Sequence, residues 1–165
     1  MMDAQNATDT LKRVLIIDDS PMIVELIRSV VTLNGSYAAL VAYDGVAGLE
    51  LFYRERPDCV IVDVKMPRMD GYQVVRCIRG DNASANTPLI ILSALNEEAD
   101  HLTGLLSGVD EYLAKPFKPS TLRETLERVM SITPEERTHR IEHLAATEFG
   151  DESEIVDDDD LNESI

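Results

Sequence analysis

Three carboxylates, one hydroxyl and one ammonium group each follow a short apolar segment of the chain, where a strand of a sheet would end. These residues are Asp18, Asp19, Asp63, Ser93 and Lys115. In doubly wound α/β sheets the carboxyl ends of the strands form the edge at which ligands bind. We therefore expect the five side chains to line one pocket, although they are far apart in the sequence.

The chemistry of such a pocket follows from its charges. Three neighbouring carboxylates repel one another, so a divalent cation is their natural neutraliser. Oxygen ligands favour Mg²⁺, which keeps several waters and is usually completed by a phosphate oxygen. A carboxylate can itself attack phosphorus and form an acyl phosphate. Lys115 and the Ser93 hydroxyl can then stabilise the equatorial oxygens of the transferred group. The residue types thus indicate phosphoryl transfer to a carboxylate with Mg²⁺.

The elements that must position these residues are short strands. Segments 14–17, 59–62 and 89–92 are wholly apolar and mostly β-branched, while 37–42 and 111–114 are weaker strand candidates. Apolar runs without alternation suit strands that are covered on both faces, as in parallel sheets. We therefore predict five strands, each ending near one of the polar residues or near a turn.

Segments of helical periodicity separate the predicted strands. The first begins at Pro21, with Ser20 as its N-cap, and ends at Asn34 and Gly35. Four further helices are predicted to begin near residues 45, 71, 96 and 119. The order βα repeated five times predicts an α/β fold, a doubly wound parallel five-stranded sheet with helices on both faces.

The composition restricts the location and the partners of the chain. Its 165 residues include 31 acidic and 15 basic ones, a formal charge of −16. A chain this acidic is repelled by nucleic-acid phosphates and by anionic lipid headgroups. No apolar run reaches the roughly 18–20 residues that a membrane span needs, and residues 1–10 lack a secretory signal pattern. We therefore expect a cytoplasmic protein that binds neither membranes nor DNA directly.

The charge is concentrated at the end of the chain. Residues 134–165 contain 12 acidic and two basic residues, whereas residues 1–133 carry a net charge of only −6. We predict a polar lead over 1–12, one compact domain over 13–131, a short helical extension over 132–149 and a disordered acidic tail over 150–165. The segment after 133 is too short and too acidic for a DNA-reading winged helix, which favours output through protein–protein contact.

The helical extension contains a sequence pattern that suggests zinc. Residues 139–143 match the His-x-x-Glu-His pattern of inverted zinc peptidases. A plain helix is the simpler interpretation, because Thr133, Pro134 and Glu136 form a capping box with proline at the first position. Residues 141, 144 and 145 would give this helix a narrow apolar stripe for packing on the body or on a partner.

The motifs over 13–131 resemble the receiver domain of two-component response regulators, a flavodoxin-like (βα)5 fold. The matching segments are 14–20 (VLIIDDS), 63–71 (DVKMPRMDG), 91–94 (ILSA), 108–110 (GVD) and 112–117 (YLAKPF), in the order of that family. The resemblance implies a phosphorylation-switched signalling module. Apart from taking part in its own phosphotransfer and dephosphorylation, such a domain is not an enzyme.

The resemblance also implies a phosphoacceptor and a metal site. Asp63 would accept a phosphoryl group from a phosphohistidine on a sensor histidine kinase or a phosphotransfer protein. Asp18, Asp19, Asp63 and the backbone carbonyl of Lys65 would hold Mg²⁺, with one acid acting through water. The side chain of Lys65 can reach the phosphoryl group, but a plain exposed lysine is an equally good interpretation.

By the same resemblance, a conformational switch follows phosphorylation. Lys115 would pair with the phosphoryl group, aimed into the pocket by a cis bond to Pro116, while Ser93 would bond to it and Tyr112 would turn inward. A downstream protein would bind the face formed by the predicted fourth helix, fifth strand and fifth helix, at roughly 95–125. Phosphorylation-dependent homodimerisation through this face stays open.

Simpler interpretations exist for each group. Asp18 and Asp19 could cap the first helix, Asp63 could be a loop acid, Ser93 a turn residue, and Tyr112 a static aromatic. Two other functions also use this architecture. A haloacid-dehalogenase-type phosphatase uses an aspartate nucleophile but has Asp-x-Asp after its first strand, and a flavodoxin-like nucleotide binder needs a first loop without carboxylates.

Overall fold

The computed structural model describes residues 11–94 and 108–149. The strands are β1 (Lys12–Ile17), β2 (Tyr37–Ala42), β3 (Cys59–Asp63), β4 (Leu89–Ala94) and β5 (Glu111–Lys115), and the helices are α1 (Pro21–Thr32), α2 (Gly45–Glu55), α3 (Gly71–Gly80), α4 (Pro119–Ser131) and α5 (Pro134–Phe149). The polar lead, the helix predicted near Asn96 and the acidic tail lie outside the described residues. Hence α4 corresponds to the predicted fifth helix, and α5 to the extension.

The five strands form one parallel sheet in the order β2-β1-β3-β4-β5. This confirms the predicted α/β class and the doubly wound topology. The order reverses next to β1, so the carboxyl ends of β1 and β3 are neighbours at the point where such sheets bind ligands. None of the described helices is long and apolar enough to cross a membrane.

The core consists of two apolar layers, one on each face of the sheet. Leu15 and Ile17 of β1 face α2 and α3, whereas Val14 and Ile16 face α1 and α4. Every residue of β3 is buried. Strands covered on both faces explain why the apolar runs in the sequence do not alternate with polar residues.

Side-chain caps mark the beginnings of several helices, whereas α4 begins at Pro119 without one. Asp44 accepts a hydrogen bond from the backbone N–H of Ala47 at 2.8 Å, and Asp70 forms a capping box with Gln73 at the start of α3. The capping box predicted at the extension is also present, since Thr133 and Glu136 exchange hydrogen bonds of 2.9 and 3.2 Å. The helix predicted after residue 132 is therefore confirmed as α5.

A buried charge cluster joins α5 to the amino-terminal edge of the sheet. Arg137 Nε lies 2.5 Å from Asp110 Oδ1, and Arg79 Nη2 lies 3.2 Å from Asp110 Oδ2. The side chains of Arg137 and Asp110 are 3% and 2% exposed. The same aspartate accepts the backbone N–H of Leu89 at 2.8 Å, while Arg137 donates to the carbonyl of Asn86 at 2.8 Å. The extension is thus attached by a buried arginine that the sequence analysis did not select. The side chains of the predicted apolar stripe lie outside the described residues.

We expect Arg137→Ala to lower the free energy of unfolding by about 3 kcal/mol, because it removes one partner from a buried ionic cluster. Urea unfolding of the full chain measures this loss. Arg140→Ala is the matched control, since Arg140 is an exposed arginine one turn further along α5 and its loss should cost no more than about 0.5 kcal/mol. Equal effects of the two substitutions would contradict the anchoring role of Arg137.

Candidate functional site

Asp18, Asp63 and Lys115 meet at the carboxyl-terminal edge of the sheet. Asp18 directly follows β1, Asp63 is the last residue of β3, and Lys115 is the last residue of β5. The Lys115 Nζ atom lies 2.8 Å from Asp18 Oδ2 and 2.9 Å from Asp63 Oδ1. The structure therefore brings together three groups that are far apart in the sequence, as predicted.

Asp18 is held in place by the backbone around it. Its Oδ1 atom accepts the N–H of Ser20 at 2.8 Å, and its own N–H donates to the carbonyl of Ala42 at 3.2 Å. Ser20 is the N-cap of α1 and accepts the N–H of Ile23. Because Ser20 caps the helix, capping does not explain the acidic pair, and Oδ2 of Asp18 is directed to Lys115.

The three carboxylates form a possible cation site. Asp18, Asp19 and Asp63 each offer one oxygen, and these oxygens lie within 4.8 Å of one another. Asp18 and Asp63 are buried, whereas Asp19 is exposed, so the cluster opens to water on one side. Three carboxylates and the Lys115 ammonium leave two negative charges, which one dication would balance. An oxygen-only donor set open to water fits Mg²⁺. The role of the Lys65 carbonyl, in the loop after β3, stays a prediction.

Burial and charge act in opposite directions at Asp63. Loss of solvent raises the pKa of its carboxyl group, the hydrogen bond and charge of Lys115 lower it, and the charges of Asp18 and Asp19 raise it again, leaving it above the ordinary value. At Lys115, burial alone would lower the pKa, but the hydrogen bonds and charges of Asp18 and Asp63 outweigh burial and raise it. The ammonium thus stays charged, and the fold disfavours the charged form of Asp63.

A glycine determines how closely α3 approaches the end of β3. The Gly71 N–H donates to the carbonyl of Val64 at 2.9 Å. A Cβ atom at residue 71 would lie 2.3 Å from the carbonyl oxygen of Asp63, closer than any side chain tolerates. In the sequence, Gly71 marks the start of a helix and ends the family-like segment 63–71. Its second role, keeping the loop after Asp63 tight, requires the packing to be seen.

Ser93 and Tyr112 lie on the strands next to Asp63. Ser93 is half-buried and follows Leu92, the residue paired with Asp63 in the register of β3 and β4. Tyr112 is half-buried on β5, and its hydroxyl lies 3.2 Å from the hydroxyl of Tyr72 on α3. Nothing in the sequence marks Tyr72 as a site residue, because a helix residue that faces the apolar layer looks like ordinary core. The Lys115–Pro116 peptide bond is cis, as expected.

The zinc-like pattern is not part of this site. Residues 139–143 lie on α5, whose first turn is anchored at the opposite edge of the sheet by Arg137. The side chain of His143 lies outside the described residues. The acidic cluster found among the described residues consists of the three aspartates alone.

We expect Asp63→Asn to stabilise the metal-free protein at neutral pH. The raised pKa means that the fold disfavours the charged carboxylate, so stability is lost as the pH rises from the ordinary aspartate pKa through the raised one. Asn keeps the size and removes the charge. Thermal unfolding in a chelator measures the difference, which should narrow as the pH falls below about 3.9, where the carboxylate becomes protonated in the unfolded state as well. A wild type that is more stable at neutral pH would show that pairing with Lys115 outweighs burial.

Comparison with known proteins gives one consistent result. Residues 14–127 match the family described as response regulator receiver domain. The probable transcriptional regulator ycf27 of Guillardia theta is 40% identical over 125 residues, which cover 76% of this chain and 48% of that protein. Response regulator MprA of Mycobacterium tuberculosis is 34% identical over 139 residues, which cover 84% of this chain and 58% of that protein. The chain thus spans about half the length of these curated relatives.

Solved structures agree with the curated relatives. The chemotaxis response regulator CheY4 of Vibrio cholerae has a TM-score of 0.67 and 32% identity, covering 73% of this chain and 99% of its own. The receiver domain of sensor histidine kinase PA1611 from Pseudomonas aeruginosa has a TM-score of 0.68 and 30% identity, covering 74% and 99%. That structure has a magnesium ion coordinated in its active site cleft. These comparisons give no support to the haloacid-dehalogenase alternative.

Proposed function

Because the chain belongs to the response regulator receiver family, we propose that Asp63 is the residue at which it is phosphorylated. One observation carries this assignment: the Asp63 carboxylate ends a fully buried strand and is paired with Lys115 at 2.9 Å beside two further carboxylates. The phosphoryl donor is a phosphohistidine of a sensor histidine kinase or of a phosphotransfer protein.

The transfer itself needs an ionised Asp63. One carboxylate oxygen attacks the phosphorus atom, an O–P bond forms, and the P–N bond to the donor imidazole breaks, with its electron pair remaining on nitrogen. The product on Asp63 is an acyl phosphate. Attack by water later restores the carboxylate and releases inorganic phosphate. Lys115 already contacts Asp63, so a short shift of its ammonium places it beside a phosphoryl oxygen.

Mg²⁺ fits the remaining acids. We assign it to Asp18, Asp19 and Asp63, with the backbone carbonyl of Lys65 as a further ligand and one acid acting through water. When bound, Mg²⁺ would neutralise the crowded carboxylates and the incoming phosphoryl oxygens. The exposed position of Asp19 leaves room for the waters that this ion retains.

Phosphorylation would signal through a conformational change at the protein surface next to the site. Ser93 would bond to the phosphoryl group and Tyr112 would move inward, with a coupling of about 1–3 kcal/mol as is usual for such switches. A downstream protein would read β5, α4 and the predicted fourth helix, and homodimerisation through this face is an open outcome. The domain limits 13–131, 132–149 and 150–165, the cytoplasmic location and the lack of direct DNA or membrane binding belong to the same proposal.

Incubation with acetyl phosphate and Mg²⁺ should add one phosphoryl group to the chain, and Asp63→Asn should abolish the addition. Intact-mass spectrometry counts the groups. Asp58→Asn is the matched control, because Asp58 is an exposed acid just before the opposite end of β3. It should be phosphorylated like the wild type. Undiminished labelling of the Asp63 variant would place the phosphoryl group elsewhere.

Asp19→Ala should weaken Mg²⁺ binding at least about ten-fold, the lower end of the effects seen on perturbing metal sites. Asp19 belongs to the oxygen cluster yet is exposed, so its loss should spare the fold. Isothermal titration calorimetry of the wild type, Asp19→Ala and Asp58→Asn gives the three affinities. Equal affinities for the wild type and the Asp19 variant would remove Asp19 from the metal site.

A further inference from the structure

Two tyrosine hydroxyls meet beside the site, one on β5 and one on α3. The Tyr112 hydroxyl donates to the Tyr72 hydroxyl oxygen at 3.2 Å. Tyr72 is only 7% exposed, and Tyr112 packs against the apolar layer between the sheet and α3. Buried tyrosines usually satisfy their hydroxyls, so the contact is a structural feature of the core in any case.

Each tyrosine is connected to Asp63 through a short series of covalent bonds and contacts. Tyr72 follows Gly71, whose N–H donates to the carbonyl of Val64 and where a Cβ atom would lie 2.3 Å from the carbonyl oxygen of Asp63. Tyr112 lies on β5, which ends at Lys115, and the Lys115 ammonium contacts the Asp63 carboxylate at 2.9 Å. The hydroxyl pair therefore closes a ring of contacts that contains Asp63.

We propose that Tyr72 is a positioning residue for the switch aromatic, and that its hydroxyl holds the Tyr112 side chain in the position seen here, against the apolar layer of α3. Displacement of the loop after Asp63, or of Lys115, then changes the distance between the two hydroxyls, so the position of Tyr112 reports the state of Asp63. This inference rests on the proposed function, because it takes phosphorylation of Asp63 to favour the position of Tyr112 in which the two hydroxyls are in contact.

Thermodynamic reciprocity provides the test. If phosphorylation favours the contact, then the contact must favour a phosphoryl group at Asp63 by the same factor. A contact that is only structural would change the stability of the fold and leave the affinity of the site for a phosphoryl mimic unchanged. Beryllium trifluoride with Mg²⁺ is such a mimic, because it binds an aspartate oxygen without a covalent transfer step.

Tyr72→Phe should weaken binding of beryllium trifluoride about five-fold, the factor that one hydrogen bond typically contributes. Tyr53→Phe is the matched control, since the Tyr53 hydroxyl also donates to α3, at the carbonyl of Cys77 over 3.3 Å, but on the outer surface. It should bind the mimic like the wild type. ¹⁹F NMR of 3-fluorotyrosine-labelled full chain measures the affinities, with the Tyr112 resonance assigned from Tyr112→Phe. That resonance should also shift in Tyr72→Phe before the mimic is added.

The possible results separate this inference from the function on which it rests. A wild type that binds no beryllium trifluoride in the presence of Mg²⁺ would overturn the proposed function, and the inference with it. Binding by the wild type, with the same affinity for Tyr72→Phe, would overturn the inference alone and leave the contact as core packing, even if urea unfolding shows a loss of stability. Tighter binding by Tyr72→Phe would also overturn it, because the contact would then oppose phosphorylation.

Discussion

The repulsion among Asp18, Asp19 and Asp63, relieved only in part by Lys115, is the constraint from which the site takes its properties. One ammonium contacts two of the three carboxylates and leaves two negative charges without compensation. Burial makes this imbalance more severe at Asp63, whose pKa is raised despite its partner. A dication is suited to such a pocket, and once bound it would supply the positive charge that an incoming phosphoryl group needs, which links metal binding to the chemistry.

The sheet holds these charges together against their repulsion. Residues 14–17 of β1 and 59–62 of β3 are apolar and buried, and the sheet is covered on both faces, so neither strand can slip without exposing core residues. The close approach of Gly71 to the end of β3 allows α3 to begin within one short loop of Asp63. Apolar packing outside the pocket thus stabilises the fold against the electrostatic repulsion within it.

A second charge cluster, at the opposite edge, is arranged differently. Asp110 pairs with both Arg79 and Arg137. The side chains of Asp110 and Arg137 are buried, that of Arg79 is largely buried, and both arginines also donate to backbone carbonyls, with no exposed acid in the cluster. Its geometry is closed, whereas the aspartate cluster is open on one side to water. A closed cluster serves attachment, here of α5 to the sheet, and an open one leaves coordination positions for ligands.

The sequence alone determined the α/β class, the number of strands, the caps of α1 and α5, and the candidate set Asp18, Asp63 and Lys115, because each of these depends on local patterns or on residues that end strands. Tertiary structure decided which side chains pair across elements: Tyr72 with Tyr112, Arg137 with Asp110, and Gly71 against Asp63. These contacts join residues on separate elements, and several look like ordinary core or surface positions in the sequence. Their roles arise from packing angles and distances between elements, which no local pattern of residues encodes.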